Sequence, residues 1–258
     1  MKVRAAVLTR TGAAAPYASS RPLQIMQIDL APPGPGEVLV RVMAAGLCHS
    51  DLSIINGDRP RRVPIVLGHE ASGIVEGLGD GVTDLAVGDH VVLVFVPSCG
   101  HCAPCAEGRP VLCEPAAAAN VAGTLLGGGK RLSLDGTPMD HFVGVSAFAE
   151  RAVVSRRAVQ KIDPELPLEI AALIGCAVMT GVGAVVNTAQ VRPGQSVAVV
   201  GLGGVGLSAL LGCIAAGAAR VVAVDLSADK LALAQSLGAT DLINAGDADA
   251  VARLRALT

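Results

Sequence analysis

The stretch SVAVVGLGGVGLSALLGCIAAGAARVVAVD, residues 196–225, decides how the second half of this chain folds. Ser196–Val200 is an apolar strand. Glycines at 201, 203 and 206 follow at once in the spacing G-x-G-x-x-G. Leu207–Ala216 reads as a helix, Val221–Val224 as a second strand, and Asp225 closes that strand 19 residues after Gly206. Alone the glycine spacing is a weak signal. Between a strand and a helix, with an acidic residue ending the next strand, it is the context of dinucleotide binding. Glycines there permit a tight turn and let a pyrophosphate approach the helix N-terminus. Gly201, Leu202, Gly203, Gly204, Val205 and Gly206 are therefore candidate cofactor contacts. The Asp225 carboxylate suits the adenosine ribose hydroxyls and would repel a 2′-phosphate, which favours NAD over NADP.

The same stretch carries no charge from Ser196 to Ala219, a length that alone would suit a membrane span. Glycines at 201, 203, 204, 206, 212 and 217 and the order strand, turn, helix argue instead for buried soluble elements. Working outward, Leu168–Cys176 and Gly181–Thr188 read as helices and Arg192–Gln195 as a turn. Downstream, Ser227–Leu237 is a helix, Gly238 its stop, Asp241–Asn244 a strand and Asp247–Leu257 a further helix. These elements make up the first half of a doubly wound parallel sheet, and about 100 further residues would complete a domain of usual size.

Residues 1–160 read differently. Short runs rich in Val, Ile and Leu lie between Gly, Pro and Asp turns, as in an all-β barrel. Expected strands are Val3–Thr9, Leu23–Asp29, Glu37–Met43, Ala71–Gly77, His90–Val96 and Ala149–Val154. Residues 114–140 read as a loose Ala- and Gly-rich loop. Gly127-Gly128-Gly129 lacks the spacing and the following helix of a phosphate loop. The expected organisation is a β domain over 1–160, with a metal lobe at 97–115, then linking helices and a partial dinucleotide domain over 161–258.

Composition agrees. With 52% apolar and 16% charged residues in 258, the chain can bury a proper core. Aromatics are only 2%, so that core must be built from Val, Leu, Ile and Ala. A net charge of −2 gives no reason to expect a nucleic-acid or anionic-membrane surface. Arg59, Arg61 and Arg62 read as a solvated loop. The start, MKVRAAVLTR, has no uninterrupted apolar core of a signal peptide, so the cytoplasm is the expected compartment.

Four of the seven cysteines crowd into Cys99-Gly-His-Cys102-Ala-Pro-Cys105 and Cys113. The pattern C-x2-C-x2-C-x7-C brings four thiolates to one ion, a closed structural zinc site with no place for a substrate. An iron–sulfur cluster is the alternative. A second set is more dispersed. Cys48 and His69 each follow a strand-like run, and Cys176 lies over a hundred residues later. Together they resemble the three-ligand zinc set with an open fourth position that alcohol dehydrogenases use, a grouping that their spacing alone does not give. Against it stands the ordinary role of a lone cysteine as a small buried hydrophobe.

With these pieces assembled, the chain resembles the zinc-dependent alcohol dehydrogenases of the medium-chain dehydrogenase/reductase family. The motifs GHEASGIVE at 68–76, the four-cysteine lobe, Gly175-Cys176, Thr180-Gly181 and Gly201–Gly206 occur in family order. The resemblance implies a GroES-like β-barrel catalytic domain followed by a partial Rossmann sheet, α/β plus β, with the active site in the cleft between them. It implies catalytic zinc on Cys48, His69 and Cys176, structural zinc on Cys99, Cys102, Cys105 and Cys113, and NAD as cofactor. It implies that Ser50 takes the alcohol proton, that Asp51 orients the histidine ligand and that Glu70 approaches the metal. His49, Thr180 and Lys230 match cofactor-contacting positions. The implied reaction is NAD-linked oxidation of a small-molecule alcohol to an aldehyde or ketone, in a homo-oligomer when full length. The alternatives are oxidation of a formaldehyde–thiol adduct, or a zinc-holding fragment without turnover, since family members continue past the point where this sequence ends. Ser53 departs from a relay histidine found in several members. Arg59 and Ala117 depart from the Asp and Arg that glutathione-dependent formaldehyde dehydrogenases place there.

Overall fold

A computed structural model describes residues 1–257 and divides the chain into two compact units, Met1–Gly175 and one beginning at Cys176. The first unit holds two sheets. In one, strand Lys2–Leu8 runs antiparallel between Leu23–Leu30 and Ile65–Val66. The other is ordered Arg151–Ser155, Glu37–Ala45, Ala71–Leu78, His90–Leu93 and Val159–Lys161, all antiparallel. Val38, Val40, Val75, Val91 and Leu93 are fully buried on the inner face, so aliphatic side chains supply the core that the scarce aromatics do not.

The six strands expected from apolar runs are all present, with shifted ends. His90–Val96 stops at Leu93, and Val96 takes a left-handed conformation (φ 51°) that no ladder accommodates. Ala149 makes only an isolated bridge to Ala5, and the last strand starts at Arg151.

The expectation of a loose loop over 114–140 is corrected. Glu114–Ala122 is a helix with Pro115 in its first turn and Gly123 (φ 69°) ending it, and short strands follow at Leu132–Leu134, Thr137–Pro138 and Asp140–His141. Pro at the start and Gly just past the end are ordinary helix limits, and the alanines between have high helix propensity.

The helices expected at 168–176 and 181–188 are one helical run, Leu168–Thr188, with π-turns at Ile174–Val178 and Ala184–Thr188. No glycine or proline interrupts residues 176–180, so nothing breaks it there. Its start belongs to the first unit, not the second. Ser72 donates a hydrogen bond to the Leu168 carbonyl (2.5 Å), and Ala171 and Ala172 are buried. This run, not residues 196–219, is the one helix among the described residues long and apolar enough to cross a membrane by length and composition.

In the second unit three parallel strands, Ser196–Val200, Arg220–Asp225 and Asp241–Asn244, stand in that spatial order. Helices Gly204–Ala215, Ala228–Ser236 and Ala250–Leu257 follow them in turn. The first begins three residues earlier than the apolar pattern suggests, because the glycine turn itself forms its first turn with Gly203 as N-cap.

Candidate metal centres and nucleotide turn

One pairing register assembles the dispersed set. Strands Glu37–Ala45 and Ala71–Leu78 end on the pair Ala45↔Ala71, and Ala71 also pairs with Leu93. The Gly46 N–H extends the ladder to the Glu70 carbonyl (2.7 Å). Cys48 and His69, each just beyond that last pair, therefore leave the same end of the sheet. Gly175 lies so close to this end that a β-carbon on it would stand 2.3 Å from the Leu93 carbonyl oxygen. Cys176 is its covalent neighbour. The ligand atoms of Cys48, His69 and Cys176 all lie within 4.8 Å of one another. Two thiols and an imidazole at that spacing suit zinc, whose bonds of about 2.0–2.3 Å put ligand atoms roughly 3.5–4 Å apart.

Asp51 organises this end. Cys48 caps the helix His49–Ile55 while the Asp51 carboxylate accepts the Cys48 N–H (3.2 Å). Its other oxygen accepts the Gly68 N–H (3.0 Å) and lies 3.3 Å from His69 Nδ1. A carboxylate there holds the proton on Nδ1 and leaves the Nε2 lone pair for a cation. Asp51, His69 and Glu70 are all buried. Burial pushes the Cys48 thiol up, but hydrogen bonds from the Ser50 backbone and hydroxyl, with His69 beside it, bring it below its ordinary value. Ser50 follows on the same short helix, where His49 is exposed and Ser53 Oγ donates back to the His49 carbonyl. Glu70 is not among the three clustered ligands. Its side chain fills the space beside Gly46, where a β-carbon would come within 2.6 Å of the carboxylate.

Sequence reasoning missed the aromatic shell. The chain has three phenylalanines, and all three gather here. Phe95 and Phe142 meet the His69 ring edge-on at 5.4 and 5.6 Å. Phe148 packs against Gly68, which adopts φ 88° and has no room for a β-carbon. Nothing in their sequence spacing signals this convergence; the scarcity of aromatic residues was the one available hint.

The four-cysteine lobe is compact. The sulfurs of Cys99, Cys102, Cys105 and Cys113 lie within 4.8 Å of one another, and the cysteines are free thiols. Backbone N–H groups of His101 and Cys102 point at the Cys99 sulfur, and that of Cys99 at the Cys113 sulfur. The His101 N–H is the main cause that lowers the Cys99 thiol to about 6, while burial pushes Cys105 up to about 11. Donors aimed at sulfur stabilise thiolates, so the donor set fits a tetrahedral cation. His101 itself faces solvent.

In the second unit the glycine turn is held by Asp225, whose two oxygens accept the N–H groups of Leu202 (2.7 Å) and Ser227 (2.9 Å). These bonds hold its carboxyl below the usual range. Gly206 is sterically required: a β-carbon would stand 1.7 Å from the Gly201 carbonyl oxygen. Around Gly203, by contrast, there is open space. Lys230 Nζ lies 3.9 Å from Asp225, and Thr180 is exposed beside Gly181, which packs directly on the Val205 carbonyl.

These two units define a class: a β domain carrying two zinc-type donor sets, joined to a dinucleotide-type parallel sheet. Residues 34–164 match the family described as Alcohol dehydrogenase GroES-like domain, and residues 204–258 match Zinc-binding dehydrogenase. An S-(hydroxymethyl)glutathione dehydrogenase of Synechocystis sp. is 45% identical over 96% of this chain. One of Escherichia coli is 44% identical over 93%. The chain spans 66% and 65% of their lengths. Among solved structures, an alcohol dehydrogenase zinc-binding domain protein from Burkholderia ambifaria superposes with a TM-score of 0.91 at 42% identity, over all of this chain and 68% of the other. Benzyl alcohol dehydrogenase from Acinetobacter calcoaceticus gives 0.90 at 38%, with the same coverage. The chain belongs to the zinc-dependent medium-chain alcohol dehydrogenase family.

Proposed function

We propose that the protein oxidises an alcohol to an aldehyde or ketone with NAD as hydride acceptor and zinc at Cys48, His69 and Cys176. The observation that carries this reading is the convergence of those three ligand atoms within 4.8 Å, with Asp51 behind His69. When bound, zinc supplies Lewis acidity at a position the three protein ligands leave open, and NAD supplies the hydride acceptor. The chain's own residues bind and orient. Asp51 fixes the His69 tautomer, Ser50 accepts the proton from the substrate hydroxyl, and the Phe95 and Phe142 rings exclude water from the imidazole. Glu70 stands in reserve as a carboxylate beside the ligands. The turn Gly201–Gly206 receives the pyrophosphate, Asp225 the adenosine ribose, and His49, Thr180 and Lys230 further parts of the cofactor. Cys99, Cys102, Cys105 and Cys113 hold a second zinc with a structural role.

A second reading, oxidation of a formaldehyde–thiol adduct, is favoured by the names of the Synechocystis and E. coli relatives. The test is NADH formation with primary alcohols, secondary alcohols and the formaldehyde–glutathione adduct in parallel. Turnover of the adduct alone would select the second reading. Cys48→Ser and His69→Ala are expected to abolish turnover with every substrate, and retained turnover in either would sink the site assignment. Asp225→Gly should weaken NAD and relax discrimination against NADP; an unchanged cofactor preference would count against the ribose role.

A further inference from the structure

The first unit carries a cavity that none of these roles uses. It measures about 170 Å³ and is lined in part by Pro60, Arg61, Arg62, Asn120, Asp140 and His141. One water needs only about 15 Å³ of such space. Arg61 makes a single hydrogen bond, to the Asn120 carbonyl (3.3 Å), and its guanidinium carbon lies 6.0 Å from the Phe142 ring centre. No carboxylate pairs with it among the described residues. Arg62 reaches Asp140 through Nε (2.7 Å) and the carbonyls of Val121 and Ala122 through one terminal nitrogen, which leaves the other terminal nitrogen. Lys130 Nζ sits 2.6 Å from the second oxygen of Asp140. The one carboxylate at this cavity is thus already bracketed by two cations, and Arg61 adds a third.

His141 borders the cavity with other atoms, and its Nδ1 has almost no accessible surface. Its Nε2 accepts the Arg131 N–H (3.0 Å), so the neutral ring carries its proton on Nδ1, and Nδ1 is buried with no partner. Asn120 Oδ1 is also buried without a partner.

We propose that this cavity binds a small oxyanion, a carboxylate or a phosphate, with Arg61 and Arg62 as its cationic donors. Guanidinium forks match planar carboxylate and phosphate oxygens two at a time, which a single ammonium cannot do. None of the residues lining this cavity is a proposed zinc ligand or cofactor contact.

The test is isothermal titration of the zinc-loaded chain with inorganic phosphate and, separately, with acetate, at constant ionic strength set by chloride. Saturable one-to-one binding of at least one is expected, and which binds assigns the ligand as phosphate or carboxylate. Arg61→Gln should weaken it at least tenfold, and Arg62→Gln should weaken it too. Should Arg62→Gln fail to fold after losing its bond to Asp140, Arg61→Gln decides alone. No saturable binding of either anion to the wild-type protein, or equal affinity in Arg61→Gln, overturns the proposal.

Discussion

At the scale of single residues, the surroundings of a buried polar group fix its geometry in one case and shift its titration in another. Asp51 accepts from two backbone N–H groups and faces His69, so neither its position nor the imidazole tautomer is free to vary. His141 is the clearest case for stability. Burial, with the Arg131 charge beside it, lowers its pKa to about 4, whereas an unfolded histidine titrates near 6.5. The unfolded chain therefore takes up a proton first as pH falls. The contribution from this site is complete above about pH 6.5 and is lost as pH drops towards 4, by about 3 kcal/mol from a shift of roughly 2.5 units. Urea unfolding at pH 7 and pH 4.5 should show this loss in the wild type and a shallower one in His141→Gln. Equal pH slopes in the two proteins would remove His141 from the account.

At the scale of elements, close backbone approach decides more than side-chain chemistry. The Ala45↔Ala71 register brings two strand ends to one end of the sheet, and Gly46 and Gly175 let neighbours approach where a β-carbon would not fit. The strand-to-helix turn of the second unit obeys the same constraint. Gly206→Ala would drive a methyl group into the Gly201 carbonyl, and overpacking of fixed backbone costs about 3 kcal/mol or more. Equilibrium denaturation followed by NAD titration should show both a destabilised second unit and lost cofactor binding. The four-cysteine lobe makes its own prediction. With Cys99 lowered to about 6 and Cys105 raised to about 11, the metal-free lobe at pH 7 holds a mixture of thiolate and thiol. Zinc ligands must be deprotonated, so loading the lobe should release protons. Calorimetry in buffers of different ionisation enthalpy measures that release, and a buffer-independent heat would contradict it.

At the scale of the molecule, two donor sets in one chain predict two zinc ions per chain by elemental analysis, falling to one in Cys48→Ser with the lobe still loaded. Loss of both ions in that variant would mean the sets are not independent. Much of this was legible from the sequence because local patterns carry it. The cysteine cluster could be read because its four members fall within fifteen residues, and the strand–glycine–helix turn because its parts and Asp225 follow one another along the chain. Alternating apolar runs likewise located the strands of the first unit. Cys48, His69 and Cys176 needed a resemblance to be grouped, since no local rule links positions so far apart. The helix at Glu114–Ala122 was overlooked because alanine and glycine looked like loop composition, although Pro115 and Gly123 marked its limits. What only the tertiary structure decided is the gathering of Phe95, Phe142 and Phe148 at Gly68-His69, the hub at Asp51, and the cavity under Arg61 and His141. Those arrangements depend on strand register and on where a helix end meets a sheet, which are set by packing between segments remote in sequence.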